Sequence, residues 1–446
     1  MKYISSNPEA GKFLHNVGKH IKSKEARLAV KAELESHIAE LADELVEEGV
    51  EEQEAVRQAV RRMGEPSGIG KEMQKIYRPV IDLGLFTILF ILLGIGLFAM
   101  YVIGTVLSEQ MQTNMGLFNK QLFFAASGCL AAAVLWRLDY RKFKWFSSLL
   151  FGAGIGLMLF THIFGLQING SKQYLALGGF AINGMIVAMF MLLIGAAGMK
   201  PLKEWGLTEG VKRYALQFCL PMFLFLWAHA YVTSFYFVLG FFTLLWLGSS
   251  SLKQFAAIVS TTIVSAVVLL YFMLGTSANL SYVFHRATIF LRFYDDPAGT
   301  GYATYNALEA IRTAGWWGHG SAASTDQLPF AYNDSLFAYM ISSYGWSMGI
   351  LIASASLAFL GIIGFIASNV RDEYGKRIVS VLLVVLGIQF VWAIFMCLGW
   401  APFVGVSIPF ISYGNTMLFI HLAVFGLIIS VGRRRRLPHR KTIPTG

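Results

Sequence analysis

Apolar runs of about 20 residues recur from Pro79 to Ser430, and no other feature restricts this chain so severely. That is the length a helix needs to cross the hydrocarbon core of a bilayer, where each segment must satisfy its own backbone polar groups. Hydrophobic residues make up 56% of the 446 and charged residues 14%, too little polar surface for a soluble chain of this length. The sequence therefore predicts an all-α polytopic membrane protein with about ten transmembrane helices. Their expected limits are 79–107, 117–137, 145–164, 181–199, 213–228, 231–248, 254–275, 346–368, 376–397 and 409–432. No cleavable leader is expected, because the first apolar run begins only near residue 79.

The net charge of +10 is distributed by topology. Residues 1–78 hold 14 of the 26 acidic residues and are nearly balanced, so the basic excess lies between and after the spans. "RLDYRKFK", "MKPLKEWGLTEGVKR", "SSSLKQ", "NVRDEYGKR" and "GRRRRLPHRK" follow the second, fourth, sixth, eighth and tenth spans. The alternate loops are poor in basic residues: 108–116 has none and 165–180 has only Lys172. The positive-inside rule then places both termini in the cytoplasm, and nucleic-acid binding is not implied. Cys129, Cys219 and Cys397 fall in apolar segments, where they pack as small side chains without a disulfide framework.

Three parts follow: a cytoplasmic helical domain over 1–78, a membrane domain over 79–432 and a basic cytoplasmic tail over 433–446. In the first, Leu34, Ile38, Leu41 and Leu45 form one stripe of an amphipathic helix that Gly49 stops. A second helix carries Val56, Ala59, Val60 and Met63 and ends at Gly64-Glu65-Pro66; a third carries Ile69, Met73 and Ile76. The pattern resembles the small helical prefix ahead of some bacterial permeases and carries no catalytic constellation, so a docking or regulatory bundle is expected.

The longest segment outside the spans is 276–333, on the outer face by the charge argument. A loop of that length is usually functional. It collects Arg286, Arg292, Asp295, Asp296, Glu309, Arg312, His319 and Asp326, and leads into Asp334. Its "AGWWGHG" can turn tightly and lie at a membrane interface. Asp334 is the principal candidate. It could cap the helix that follows. Yet a carboxylate beside a bilayer costs several kcal/mol unless it has partners, and a desolvated one with a raised pKa can take a proton from a hydroxyl. Lys172 and Arg286 are candidates for receiving an anionic headgroup; the alternative for each is an interfacial anchor. "PFISYGNT" gives the last span a polar start, and His421 within it reads as a hydrogen-bonded bundle residue. His162, His229 and His319 lack metal-ligand spacing, so no metal site is assigned.

Several stretches occur together in a fixed order: "NGSKQYLALGGF", "RATIFLRFYDDPAGTGY", "NALEAIRTAGWWGHG", "LPFAYNDSLFA" and "IPFISYGNT". In this, residues 79–432 resemble the SEDS family (shape, elongation, division and sporulation), the RodA and FtsW group. The resemblance implies ten spans with a long extracytoplasmic loop before the eighth. It implies a peptidoglycan glycosyltransferase acting on lipid II, a saccharide carried on undecaprenyl pyrophosphate, with a class B penicillin-binding protein as partner. It places the catalytic role on Asp334 and substrate binding on Lys172, Arg286, Asn169 and Ser412. A divalent cation, Mg or Mn, would be compatible with the leaving group.

The chain also departs from the family pattern. Gln173 stands where a second basic residue is expected and Tyr174 replaces a Trp. Ile182-Asn183-Gly184 replaces Pro-Ser-Glu, and the Gln-Pro-Asp motif is absent from "WAHAYVTS". Phe330, Ser342 and Ser343 replace glutamates, and Ala303 replaces a Gln. Two alternatives to the enzyme follow: a non-catalytic scaffold or regulator of a cell-wall synthase, and a transporter of lipid-linked precursor. The second would require ionisable residues deep among the spans, and few are present.

Overall fold

A computed structural model describes residues 7–22, 24–77, 82–111, 116–168, 170–178, 180–274, 290, 292–320 and 328–435. They divide into two compact units. One contains residues 1–82 with 369–372 and 431–446; the other contains 83–368 and 373–430.

Among the described residues, the first unit has four helices: α1 (Pro8–Lys19), α2 (Lys24–Glu47), α3 (Glu52–Arg62) and α4 (Pro66–Ile76). Phe13, Val17, Leu34, Ile38, Leu45, Val56 and Ala59 share one core, with Leu41 partly buried against it. Gly49 and Gly64, at φ 91° and 88°, end α2 and α3 in a conformation that costs glycine little. The sequence reading missed α1. Its signals are Asn7, whose side chain accepts from Glu9 N as an N-cap, and Pro8 in the first turn. The backbone of α1 meets α4 at Gly70, where a Cβ would stand 2.8 Å from Val17 O.

Among the described residues, the second unit is built of helices and one small sheet. Its elements are α5 (Leu83–Met111), α6 (Leu117–Arg137), α7 (Arg141–Trp145), α8 (Ser147–Phe164), α9 (Gly184–Gly198), α10 (Leu207–Tyr214), α11 (Leu220–Trp227), α12 (Tyr231–Gly248), α13 (Leu252–Leu274), α14 (Tyr302–Thr313), α15 (Leu336–Asn369), α16 (Glu373–Cys397) and α17 (Asn415–Arg434). Among the described residues seven helices, α5, α6, α8, α12, α15, α16 and α17, are long and apolar enough to cross a membrane. Of the other three expected spans, the fourth and fifth are shorter or interrupted. The fourth gives its first residues to a strand, so only α9 is helical. The fifth is broken between α10 and α11 by a π turn at Ala215–Cys219. The seventh is helical over Leu252–Leu274, 23 residues.

Small residues let the helices close on one another. A Cβ on Gly195 of α9 would stand 2.9 Å from Ser147 O, and one on Gly426 of α17 would stand 2.5 Å from Ala132 O of α6. The loop before α9 is an antiparallel sheet of β1 (Leu166–Ile168), β2 (Ser171–Leu177) and β3 (Phe180–Asn183), in that order. Its turns use Gly170 and Gly178, at φ 79° and 61°. The eighth expected span, 346–368, begins just after a break in α15 at Gly345, whose φ of 77° and ψ of −178° are not helical. Residues 336–344 form a separate helical strut, and the long apolar stretch starts at Trp346.

Candidate active site

The "PFISYGNT" stretch holds the loop that carries Asp334. Ser412 Oγ donates to Asn333 O at 3.0 Å and accepts from Ile408 N at 3.0 Å. Tyr413 N donates to Tyr332 O at 2.9 Å. Gln121 Nε2 of α6 donates to Ser412 O at 3.3 Å. On the far side, Ser335 Oγ donates back to Pro329 O at 2.6 Å. Asp334 is thus pinned through its neighbours on both sides. The contact between positions 333 and 412 was not visible in the sequence, because it joins segments distant along the chain.

The Asp334 carboxylate itself is left unpinned. Its Oδ1 is buried with no hydrogen-bond partner, so that oxygen caps nothing. Oδ2 faces Gly405, where a Cβ would lie 3.8 Å away, and Gly405 is exposed. Buried Tyr236 and Cys397 lie close enough to couple electrostatically to the group, and Cys397 Sγ donates to Asp334 O at 3.5 Å. Burial pushes the carboxyl up to about 7, because the charged form has lost water and gained no donor. Such a group changes protonation near neutral pH, as proton transfer from a hydroxyl requires.

Ser412, expected to touch substrate, is buried and its hydroxyl is engaged by the loop. Lys172 lies on β2, within electrostatic range of His162. That sheet is anchored to the turn before α12: Ser171 Oγ donates to Ala228 O at 2.9 Å and Gln173 Nε2 to His229 O at 3.3 Å. Gln173, where the family pattern has a cation, is therefore a tie between the sheet and that turn. Thr416 at the start of α17 joins the other edge, donating to Ala181 O at 3.2 Å and accepting from Asn183 N at 3.1 Å. Asn169 and Arg286 lie outside the described residues. Among the described residues no three His, Cys, Asp or Glu side chains converge as a metal site. Asp296, in the long loop, spends its carboxylate on Gly299 N, Thr300 N and Thr300 Oγ1, at 2.9–3.0 Å.

Beneath the sheet lies an apolar cavity of about 730 Å³. β3 contributes Phe180, Ala181 and Ile182 to its wall, and α6, α9 and α17 contribute Phe123, Phe190 and Phe419 among others. Phe123 and Phe180 stack with ring centroids 6.0 Å apart. Phe123, Phe180 and Phe419 are exposed, so the cavity is open along the flank of the helices. Thr416 borders the cavity and also ties the sheet to the segment that braces Asp334.

Comparison with known proteins places this architecture. A probable peptidoglycan glycosyltransferase FtsW of Shewanella sediminis is 28% identical over 70% of this chain and 76% of its own. Stage V sporulation protein E of Bacillus subtilis is 25% identical over 80% of this chain and 98% of its own. Among solved structures, a chain from a peptidoglycan synthase complex aligns with a TM-score of 0.65 at 21% identity, over 79% of this chain and 98% of that one. The rod shape determining protein RodA of Thermus thermophilus aligns with a TM-score of 0.58 at 18% identity, over 79% and 97%. The FtsW/RodA/SpoVE family model, described as "Cell cycle protein", matches residues 83–437. The chain is a multi-pass membrane protein and belongs to the FtsW/RodA/SpoVE family.

Proposed function

We propose that the chain is a membrane-embedded peptidoglycan glycosyltransferase that extends a glycan strand from a polyprenyl-pyrophosphate-linked saccharide such as lipid II. The observation that carries this reading is the Asp334 carboxyl: braced through its backbone, unpaired at one oxygen and poised near pH 7. In the proposed step Asp334, ionised, takes the proton of the acceptor sugar hydroxyl. The hydroxyl oxygen forms a bond to the donor's anomeric carbon. The bond from that carbon to the pyrophosphate breaks, and the polyprenyl pyrophosphate leaves with its electron pair. Charge on the leaving group is offset by Lys172 on the sheet and by Arg286; such donors are worth a few kcal/mol each. The open apolar cavity under the sheet suits a polyprenyl tail, and it would bring the attached pyrophosphate to the sheet side.

Three further features complete the proposal. The chain crosses the membrane ten times, the fourth, fifth and seventh expected spans included. Both termini are cytoplasmic, with 276–333 outside. A class B penicillin-binding protein is its partner, in keeping with the synthase complex among its structural neighbours. Glu309→Cys should label from the outside of intact cells; labelling from the cytoplasmic side alone would reverse the orientation.

The enzyme reading is tested with purified full-length protein and lipid II, with and without the transpeptidase, read as glycan product against pH. Turnover should rise with pH through about 7 as Asp334 ionises. Binding of lipid II with no product under any partner condition would instead favour a non-catalytic scaffold, the role to which the serines at 342 and 343 also point.

A further inference from the structure

Five of the seven exposed tryptophans follow a rule. Trp145, Trp227, Trp246 and Trp400 each stand at, or within three residues of, the end of an apolar helix. Trp346 opens the long apolar stretch of α15 after its break. Indoles gather at the boundary between headgroups and acyl chains, where an apolar ring and one N–H donor are both accommodated. Trp316 and Trp317 belong to no such helix end in sequence. They occupy the tip of the "AGWWGHG" turn, 66% and 84% exposed.

The fold brings this tip to the same level. Trp346 N donates to Gly315 O at 3.1 Å. His319 N donates to Ser342 O and Gly320 N to Ser343 O, each at 2.9 Å. Gly345 and Gly318 let the two backbones touch: a Cβ on Gly345 would strike Trp316 O, and one on Gly318 would strike Ser343 O. The tip is therefore clamped to the break where the apolar stretch of α15 begins. From the break, the strut 336–344 runs back to Asp334. Residues 336–343 of it are buried, and nine helical residues span about 13 Å.

We propose that Trp316 and Trp317 are a membrane anchor seated at the headgroup–acyl boundary, and that the clamped strut uses this anchor to fix the depth of Asp334. The occupant of the exposed tip is the bilayer interface itself. The helix-end position of the other exposed tryptophans and the backbone clamp beside Trp346 both argue for it. The consequence for Asp334 rests on the glycosyltransferase reading; the anchor does not, and its depth is measured without turnover.

The test places a nitroxide at Trp317→Cys in full-length protein carrying Cys129→Ala and Cys219→Ala, Cys397 being buried. The protein is reconstituted in phosphatidylcholine/phosphatidylglycerol vesicles, and collision with oxygen is compared with collision with a water-soluble nickel chelate. The expected result is an oxygen-favoured ratio, matching a label at Trp400→Cys and opposite to a label at Glu309→Cys. Water-like access to nickel at position 317 would overturn the anchor. So would shielding from both reagents that appears only when a partner protein is added, which would assign the tip to that protein. In parallel, the pair Trp316→Ser and Trp317→Ser should cut turnover about tenfold in vesicles and little in detergent, where depth is unconstrained. An equal loss in both media, with the depth result retained, would sever the link to Asp334 and leave the anchor alone.

Discussion

Asp334 combines two properties that seldom coexist: a fixed backbone and a carboxyl oxygen without a donor. The stability consequence has a definite sign. A carboxylic acid pushed up to about 7 in the fold, against about 3.9 unfolded, binds its proton more tightly when folded. Its contribution is intact below about pH 4 and is lost as pH rises through about 7. Asp334→Asn removes that titration, so the variant should melt higher than wild type at pH 8, with the gain vanishing by pH 4. The gain should be on the order of 1–2 kcal/mol, since the side chain is not fully removed from solvent. A variant that melts lower at pH 8 would mean the carboxylate has a stabilising partner. Ser412→Ala should lower kcat by about tenfold and leave KM nearly unchanged, because Ser412 touches the loop of Asp334 and no exposed surface. A change confined to KM would return Ser412 to substrate binding. Asp334 was legible from sequence because a carboxylate beside an apolar helix is costly to keep. The tie from Ser412 to Asn333 was not, because a serine in a polar turn offers many local partners and nothing in its neighbourhood names a remote one.

The helices that lie against the site were legible wherever one apolar run meant one helix, as in α6 and α16. They were not legible where a run holds two conformations. The eighth span is expected from 346 and a helix start just after Asp334, but the run does not show the positive φ at Gly345 that parts them and admits the 315–318 turn. The sheet at 166–183 was missed for a similar reason: strands of three, seven and four residues between glycine turns show too little alternation to count. Gly345 gives the prediction for this scale. An alanine there meets a strained φ and a clash with Trp316 O, so Gly345→Ala should cost about 2 kcal/mol or more and loosen the 315–320 turn. Measured by melting in detergent and by proteolysis of that turn, wild-type behaviour of the variant would contradict the clamp.

At the scale of the whole molecule, the chemistry is assigned to the second unit alone. The first unit has a core of its own. Removal of residues 1–78 should leave glycan synthesis by the inserted protein within about twofold of wild type, and complete loss of turnover by a stably inserted truncation would give the prefix a part in the reaction. The departures from the family pattern have a structural counterpart here. Gln173 serves as a tie, and the strut bearing Ser342 and Ser343 is clamped to the tryptophan turn through its carbonyls. The polar shell of Asp334 is thin, and the account rests on that one carboxylate. The measurement that reaches it most directly is lipid II polymerisation by Asp334→Asn against wild type, at equal membrane insertion and at pH 8. Asparagine keeps the size of the side chain and cannot accept the proton, so turnover should fall by a factor of about 10² to 10⁴. Polymerisation by the variant at the wild-type rate would show that Asp334 is not the base.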